Sequence, residues 1–187
     1  LSPSSAASDV YKRQDYAFNH IYSTNLGDKL SVPEGHYTHA KARHTGNLWL
    51  RHAKRWRHFD AAASAGVSLT PYGTSALWSL SAGYAPAAGL RLEAGAWQSM
   101  RLPTFTDLYY TSPAQINNLD LTPEHAVTYR LGVDYLKRSW NLSAQAYYRS
   151  GRDIIDWVWR EELGKWHSEQ ESKLDTYGPV SYTHLTL

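Results

Sequence analysis

Period-two alternation of apolar and polar side chains, repeated segment after segment, is what most constrains this chain. In "HAVTYRLGVDY", Val127, Tyr129, Leu131, Val133 and Tyr135 share one parity, while Thr128, Arg130, Gly132 and Asp134 share the other. "WNLSAQAYYR" sets Trp140, Leu142, Ala144, Ala146 and Tyr148 against Asn141, Ser143, Gln145, Tyr147 and Arg149. Leu90, Leu92, Ala94 and Ala96 oppose Arg91, Glu93, Gly95 and Trp97 in the same way. So do Ala76, Trp78, Leu80, Ala82 and Tyr84 against Leu77, Ser79, Ser81 and Gly83. Ala61, Ala63, Ala65, Val67 and Leu69 oppose Asp60, Ser64, Gly66 and Ser68. A strand sends successive side chains to opposite faces, whereas a helix would smear each set around its circumference. The pattern predicts an all-β chain of about eight strands. They fall near 15–22, 38–51, 58–69, 75–85, 89–100, 124–137, 139–150 continuing to 160, and 166–178.

The links between strands add a second constraint. "HAKRWR", "APAAG" and "LKRS" are short, while "STNLGDKLSVPEGHY", "TPYGT", Pro103 to Glu124 and "REELGKW" are longer or more irregular. Short turns at one end and longer loops at the other characterise antiparallel up-and-down membrane barrels, whose tilted strands need roughly 9–11 residues to span. No stretch approaches the roughly 18 consecutive apolar residues of a membrane helix. Alternation alone does not separate a soluble sandwich, apolar side inward, from a membrane barrel, apolar side outward. Two features favour the barrel. The apolar parity is rich in small residues (Ala61, Ala63, Ala65, Ala94, Ala96) that would fill a soluble core poorly. The chain also has 14 Tyr and 8 Trp against 3 Phe, and aromatics with a polar tip suit a membrane interface. Trp49, Trp78, Tyr84, Trp140 and Tyr148 are expected in such interfacial girdles.

Charge and cysteine content exclude other classes. A net charge of +2 is too balanced to imply a nucleic-acid partner. Zero cysteines leave no disulfide framework and no thiolate metal site. The two ends carry a separate signal. "DVYKRQ" (Asp9 to Gln14) is encoded by gat-gtg-tat-aag-aga-cag, and the complementary strand reads as "VSYTHL" (Val180 to Leu185). One short DNA element in two orientations accounts for both, and it resembles the adapter of transposase-based sequencing libraries. Residues 1–14 and 179–187 are therefore expected to be adapter-derived and 15–178 to be an incomplete barrel. Without Asp9, Lys12 and Arg13 the net charge becomes +1.

From Leu90 to Gly178 the chain resembles the barrel domain of TonB-dependent outer-membrane receptors. The residues that carry the likeness are "SMRLPTFTDLYY" (Ser99 to Tyr110) followed by "NNLDLTPEHAVTYRLGVDY" (Asn117 to Tyr135). The family has a Ser-Phe-Arg-Ala-Pro-like strand end with Thr-Phe-x-Glu-Leu-Tyr, then Asn-Pro-x-Leu-x-Pro-Glu opening the descending strand. Met100 and Leu102 depart from the first motif, and Leu119 stands where the second has proline. "AYYRSGRDIIDWV" is similar to the family's following strand top. The resemblance implies a transmembrane barrel of about 22 strands around a plug, with outer-membrane lipid as its surroundings. It implies uptake of a scarce, large solute of the ferric siderophore or cobalamin class, powered by TonB through a plug that these residues do not include. It implies no cofactor and no catalysis. Pro103 marks where the strand leaves the ladder, and Phe105, Leu108, Tyr109 and Tyr110 would anchor the loop base and line the receptor mouth. Ligand contact is expected from Arg101, Tyr109, Tyr110, Asn117 and Asn118. Arg101 is also expected to pair with Asp107.

Other constellations carry less. His36 and His39 in "HYTHAKARH", close to His44, have odd spacing and so opposite faces; Glu34 could share a face with His36, but no further ligand joins them. Heme receptors of the family place a histidine between the two motifs, and Thr104 to Ile116 has none. Asn141 heads a formal glycosylation sequon in mid-strand, and Asp153 and Asp156 fall on opposite faces, which is no catalytic pair. Lys54, Arg55 and Arg57 around Trp56 could meet anionic head groups from a short turn. Two rivals stay open: a small complete barrel with a structural or adhesion role, and a barrel enzyme of the outer membrane.

Overall fold

The computed structural model describes residues 8–23, 26, 39–137 and 140–185. The alternating segments become β1 (Ser8–Ser23), β2 (His39–Arg55), β3 (Phe59–Thr70), β4 (Gly73–Ala87) and β5 (Leu90–Arg101). A short helix α1 (Phe105–Tyr109) and a two-residue strand β6 (Gln115–Ile116) follow. The chain then forms β7 (Glu124–Lys137), β8 (Trp140–Arg160) and β9 (Lys165–Leu185). The long strands pair antiparallel in the sheet order β1-β2-β3-β4-β5-β7-β8-β9, and β6 adds in parallel to the far edge of β9. Among the described residues β1 and β9 do not meet, so the nine-stranded sheet is unclosed. This is the incomplete up-and-down arrangement that the alternation predicts.

Several boundaries differ from expectation. β1 begins at Ser8 and β9 runs to Leu185, so pairing passes through residues 8–14 and 179–185. Ladder bonds are main-chain bonds, which almost any sequence can make. The stretch from Pro103 to Glu124 is not an irregular loop, because it holds α1 and β6. "TPYGT" closes as a two-residue turn in which Thr70 pairs with Gly73. The expected loop over 23–37 lies outside the described residues apart from Ser23 and Leu26, as do Glu34, His36, Arg138 and Ser139.

Two glycines fix turns. Gly73 adopts φ 113°, a region closed to most side chains. Gly89 adopts φ 79°, and a Cβ there would also come within 2.0 Å of the Leu136 carbonyl oxygen. The β4–β5 ladder shifts register between Tyr84 and Ala87. Pro86 lies inside this bulge, where a missing donor costs the sheet little.

Register decides which side chains share a face. Ala61, Ala82, Ala94, Leu131 and Ala146 are successive partners across β3, β4, β5, β7 and β8. That apolar face is uncovered: Leu80 is 55%, Leu131 65% and Tyr177 82% exposed. A soluble sandwich would have buried it. Tyr16, Phe18 and His44 gather at one end of it, with Tyr16 Oη 2.6 Å from His44 Nδ1, and Trp56 meets Phe59 at a tilt at the other. Trp49, expected in a girdle, belongs instead to the polar face. It lies over Gly66, where a Cβ would come within 2.6 Å of the indole ring. The apolar cluster of the described residues is small: Leu108, Leu121 and Ile155 with Tyr109 against them. Leu108 and Leu121 belong to the connection between β5 and β7, and the cluster packs it onto Ile155 of β8.

Candidate functional site

The ladder of β5 stops because Pro103 has no N–H to donate, and the next residues start a helix. Thr104 Oγ1 accepts the Asp107 N–H at 3.1 Å, while Asp107 Oδ2 accepts the Thr104 N–H at 2.8 Å. This reciprocal capping box satisfies two otherwise unpaired donors and creates α1. The signal, Thr-x-x-Asp directly after a proline, is local and stands in the sequence at Thr104 to Asp107.

Arg101, the last residue of β5, lies between two carboxylates. It pairs with Glu124 across the ladder and lies 3.6 Å from Asp107. Glu124 also accepts the Ile155 N–H at 2.8 Å. Asn117 donates from Nδ2 to the Leu108 carbonyl at 2.6 Å, and its Oδ1 accepts from Thr111 at 2.9 Å. The Asn118 N–H donates to the Asp107 carbonyl at 3.2 Å, and its Oδ1 accepts the Asp120 N–H at 2.9 Å. Tyr109 is half-buried against the apolar cluster, with its ring 6.3 Å from Phe105. Tyr110 meets Trp157 edge-on at 6.5 Å. All five residues named from the sequence thus converge on one connection. Arg101, Asn117 and Asn118 use their polar groups to hold that connection in shape, and the two tyrosines supply its aromatic surface.

The connection is fastened at its far end too. Gln170 of β9 donates to the Thr122 carbonyl at 2.7 Å and to the Asp153 carbonyl at 3.1 Å. Asp153, whose carbonyl accepts this bond, has φ 56°. The Thr111 N–H bonds the Leu26 carbonyl at 2.8 Å, and the Trp166 N–H bonds the Ala114 carbonyl at 2.9 Å. Tyr72, in the β3–β4 turn, has its phenol pKa raised by burial, which keeps it neutral at ordinary pH. Lys41, Arg43, Tyr72, Trp157 and Gln170 were not singled out from the sequence. Each occupies an ordinary strand or turn position, and nothing local marks it as facing the connection.

Deeper on the polar face lies a charge network. Arg91 reaches Asp60 at 2.8 Å and Glu93 at 2.8 Å, while Arg130 lies 3.9 Å from Glu93 and over the Trp97 ring. Arg91 crosses β4 at Gly83, where a Cβ would stand 2.2 Å from its Nη2. Only glycine leaves that crossing open. A face of paired charges opposite a face of exposed alanine and leucine is the polarity expected of a membrane barrel wall.

Comparison with known proteins agrees with this geometry. No curated protein sequence matches the chain. The family described as TonB dependent receptor-like, beta-barrel matches residues 6–162. Among solved structures, the siderophore receptor PirA from Acinetobacter baumannii superposes with a TM-score of 0.75 at 12% identity, covering 98% of this chain and 32% of that one. The FrpB iron transporter from Neisseria meningitidis gives 0.69 at 8% identity, covering 96% of this chain and 31% of that one. The copper transporter OprC gives 0.70 at 12% identity, covering 92% and 32%. The chain spans about a third of each of these structures. At such identities the likeness establishes the fold alone.

Proposed function

The chain belongs to the TonB-dependent receptor-like β-barrel family, and on that premise we propose that it is part of an outer-membrane receptor for a scarce, large solute of the ferric siderophore or cobalamin class. The observation that carries this reading is the inverted sheet: an uncovered apolar face, a charged opposite face, and a folded connection at one end. Apolar side chains would face outer-membrane lipid, and the charged face would line the lumen. The connection from Leu102 to Pro123 would receive the solute, with Tyr109 and Tyr110 as broad, stiff contact surfaces and Arg101, Asn117 and Asn118 at their base. Energy would come from TonB through a plug domain, and no covalent step is involved. An unclosed sheet also weighs against the small complete barrel, which needs its edges joined.

Uptake by whole cells tests this reading. Cells with the intact gene should accumulate radiolabelled ferric enterobactin or radiolabelled cobalamin, and cells lacking the gene or TonB should not. Accumulation of either probe that is independent of TonB, or of neither probe, would remove the proposed function.

A further inference from the structure

Arg43 stands on β2, and β3 and β4 separate that strand from β5 in the sheet. Its Nη1 nevertheless donates to the Pro103 carbonyl at 2.6 Å, and its guanidinium lies 5.1 Å from the centroid of the Phe105 ring. Two neighbouring features make the reach possible. The β2–β3 ladder starts at Gly46 and Leu69, and β3 turns back at Thr70. Above that level β2 pairs only with β1, and the Arg43 side chain extends from there to Pro103 and Phe105. Lys41, two residues up on the same face, places Nζ 5.7 Å from the centroid of Tyr109.

The contact has a specific chemistry. Pro103 is fully buried and the ladder has ended, so its carbonyl needs a donor from elsewhere. A guanidinium can donate in its own plane while its face covers an aromatic ring, and an ammonium cannot do both. We infer that Arg43 is a positioning residue that fastens α1 to β2 and so fixes where Tyr109 and Tyr110 stand. This rests on the reading of that connection as the ligand-receiving one. The other end is held independently by Arg101 with Glu124 and by Gln170 with Thr122. Loss of Arg43 therefore loosens the N-terminal end of α1, where Pro103 and Phe105 stand, without unpairing β7.

Amide hydrogen exchange on the full-length receptor in detergent tests the inference. The Leu108 and Tyr110 amides, bonded to Thr104 and Thr106 at 3.2 and 3.0 Å, report α1; the Leu131 amide reports the wall. In Arg43→Ala, exchange at the two α1 amides should rise about ten- to a hundredfold, the size set by one buried carbonyl left unpaired. Leu131 should be unchanged, and Arg43→Lys should restore part of the protection. Phe105→Leu, which removes only the ring, should give a smaller rise and serves if Arg43→Ala fails to assemble. Unchanged α1 exchange, or an equal rise at Leu131, overturns the positioning role. Loosened α1 with undiminished capture of ferric enterobactin and of cobalamin would leave Arg43 fastening the helix but would strip the connection of its ligand-receiving role.

Discussion

Glu124 accepts the backbone N–H of Ile155 at 2.8 Å, so a side chain takes over where the β7–β8 main-chain ladder gives out. The same carboxylate pairs with Arg101 at the end of β5. One buried acid therefore joins three strands at the level where the wall ends. Above it β8 and β9 continue as a hairpin that carries β6 on its outer edge; each whole strand is 21 residues long, about twice the roughly 9–11 that span a bilayer.

Removing that acid should cost measurable stability. Glu124→Ala leaves the Ile155 N–H without its acceptor in a buried setting and should lower unfolding free energy by about 1–3 kcal/mol. Glu124→Gln keeps an acceptor and should cost clearly less. Urea titration of the full-length receptor, followed by tryptophan fluorescence, compares them. Equal losses in the two variants would show that the bond to Ile155 contributes nothing.

The face assignment is tested by adjacent residues. Leu131→Arg puts a charge on the uncovered apolar face and should cost about 2–4 kcal/mol in a bilayer. Gly132→Arg points the other way, where a Cβ meets only ordinary contacts at 3.6 Å or more and Glu93 is a neighbour. It should be far better tolerated. Similar damage at both positions, read as the yield of assembled barrel, would refute the assignment.

Gly89→Ala should impair the β4–β5 hairpin. The positive φ and the 2.0 Å approach to the Leu136 carbonyl act together, and strained backbone positions of this kind cost on the order of 1–3 kcal/mol. The expected outcome is slower assembly into outer membranes with a lower urea midpoint. Wild-type assembly kinetics would mean that the turn relaxes without penalty.

Tyr109→Ala combined with Tyr110→Ala should leave assembly intact and weaken capture of the proposed solute by whole cells. Both rings sit where the chain has left the ladder, so few backbone bonds are lost. Tyr109 does cover Leu108, Leu121 and Ile155, and a modest loss of local protection in α1 is expected as well. Normal capture of both ferric enterobactin and cobalamin would confine the pair to packing, and failed assembly would make them structural.

The end segments yield a prediction about DNA. If residues 1–14 and 179–187 are adapter-derived, amplification of the source gene across both boundaries should return other residues there. Recovery of "DVYKRQ" and "VSYTHL" from genomic DNA would make both stretches native strand.

What the sequence by itself determined is local in character. Parity along each strand follows from the two-residue repeat of extended backbone, so the partition of Leu131 from Gly132 and of Ala94 from Glu93 was legible. So was the exit of β5, because Pro103 lacks a donor whatever its surroundings. Convergence of Arg101, Tyr109, Tyr110, Asn117 and Asn118 followed from their nearness along the chain. Tertiary structure decided what depends on register and on the relative heights of strands. It put Trp49 over Gly66, because the side a strand presents is common to its ladder partners and not set by its aromatic content. It laid Arg91 across Gly83 to Asp60, and it brought Arg43 to Pro103 from a stretch of β2 that lies beyond the point where β3 turns back. These contacts join positions tens of residues apart, and no local preference of either partner encodes the meeting.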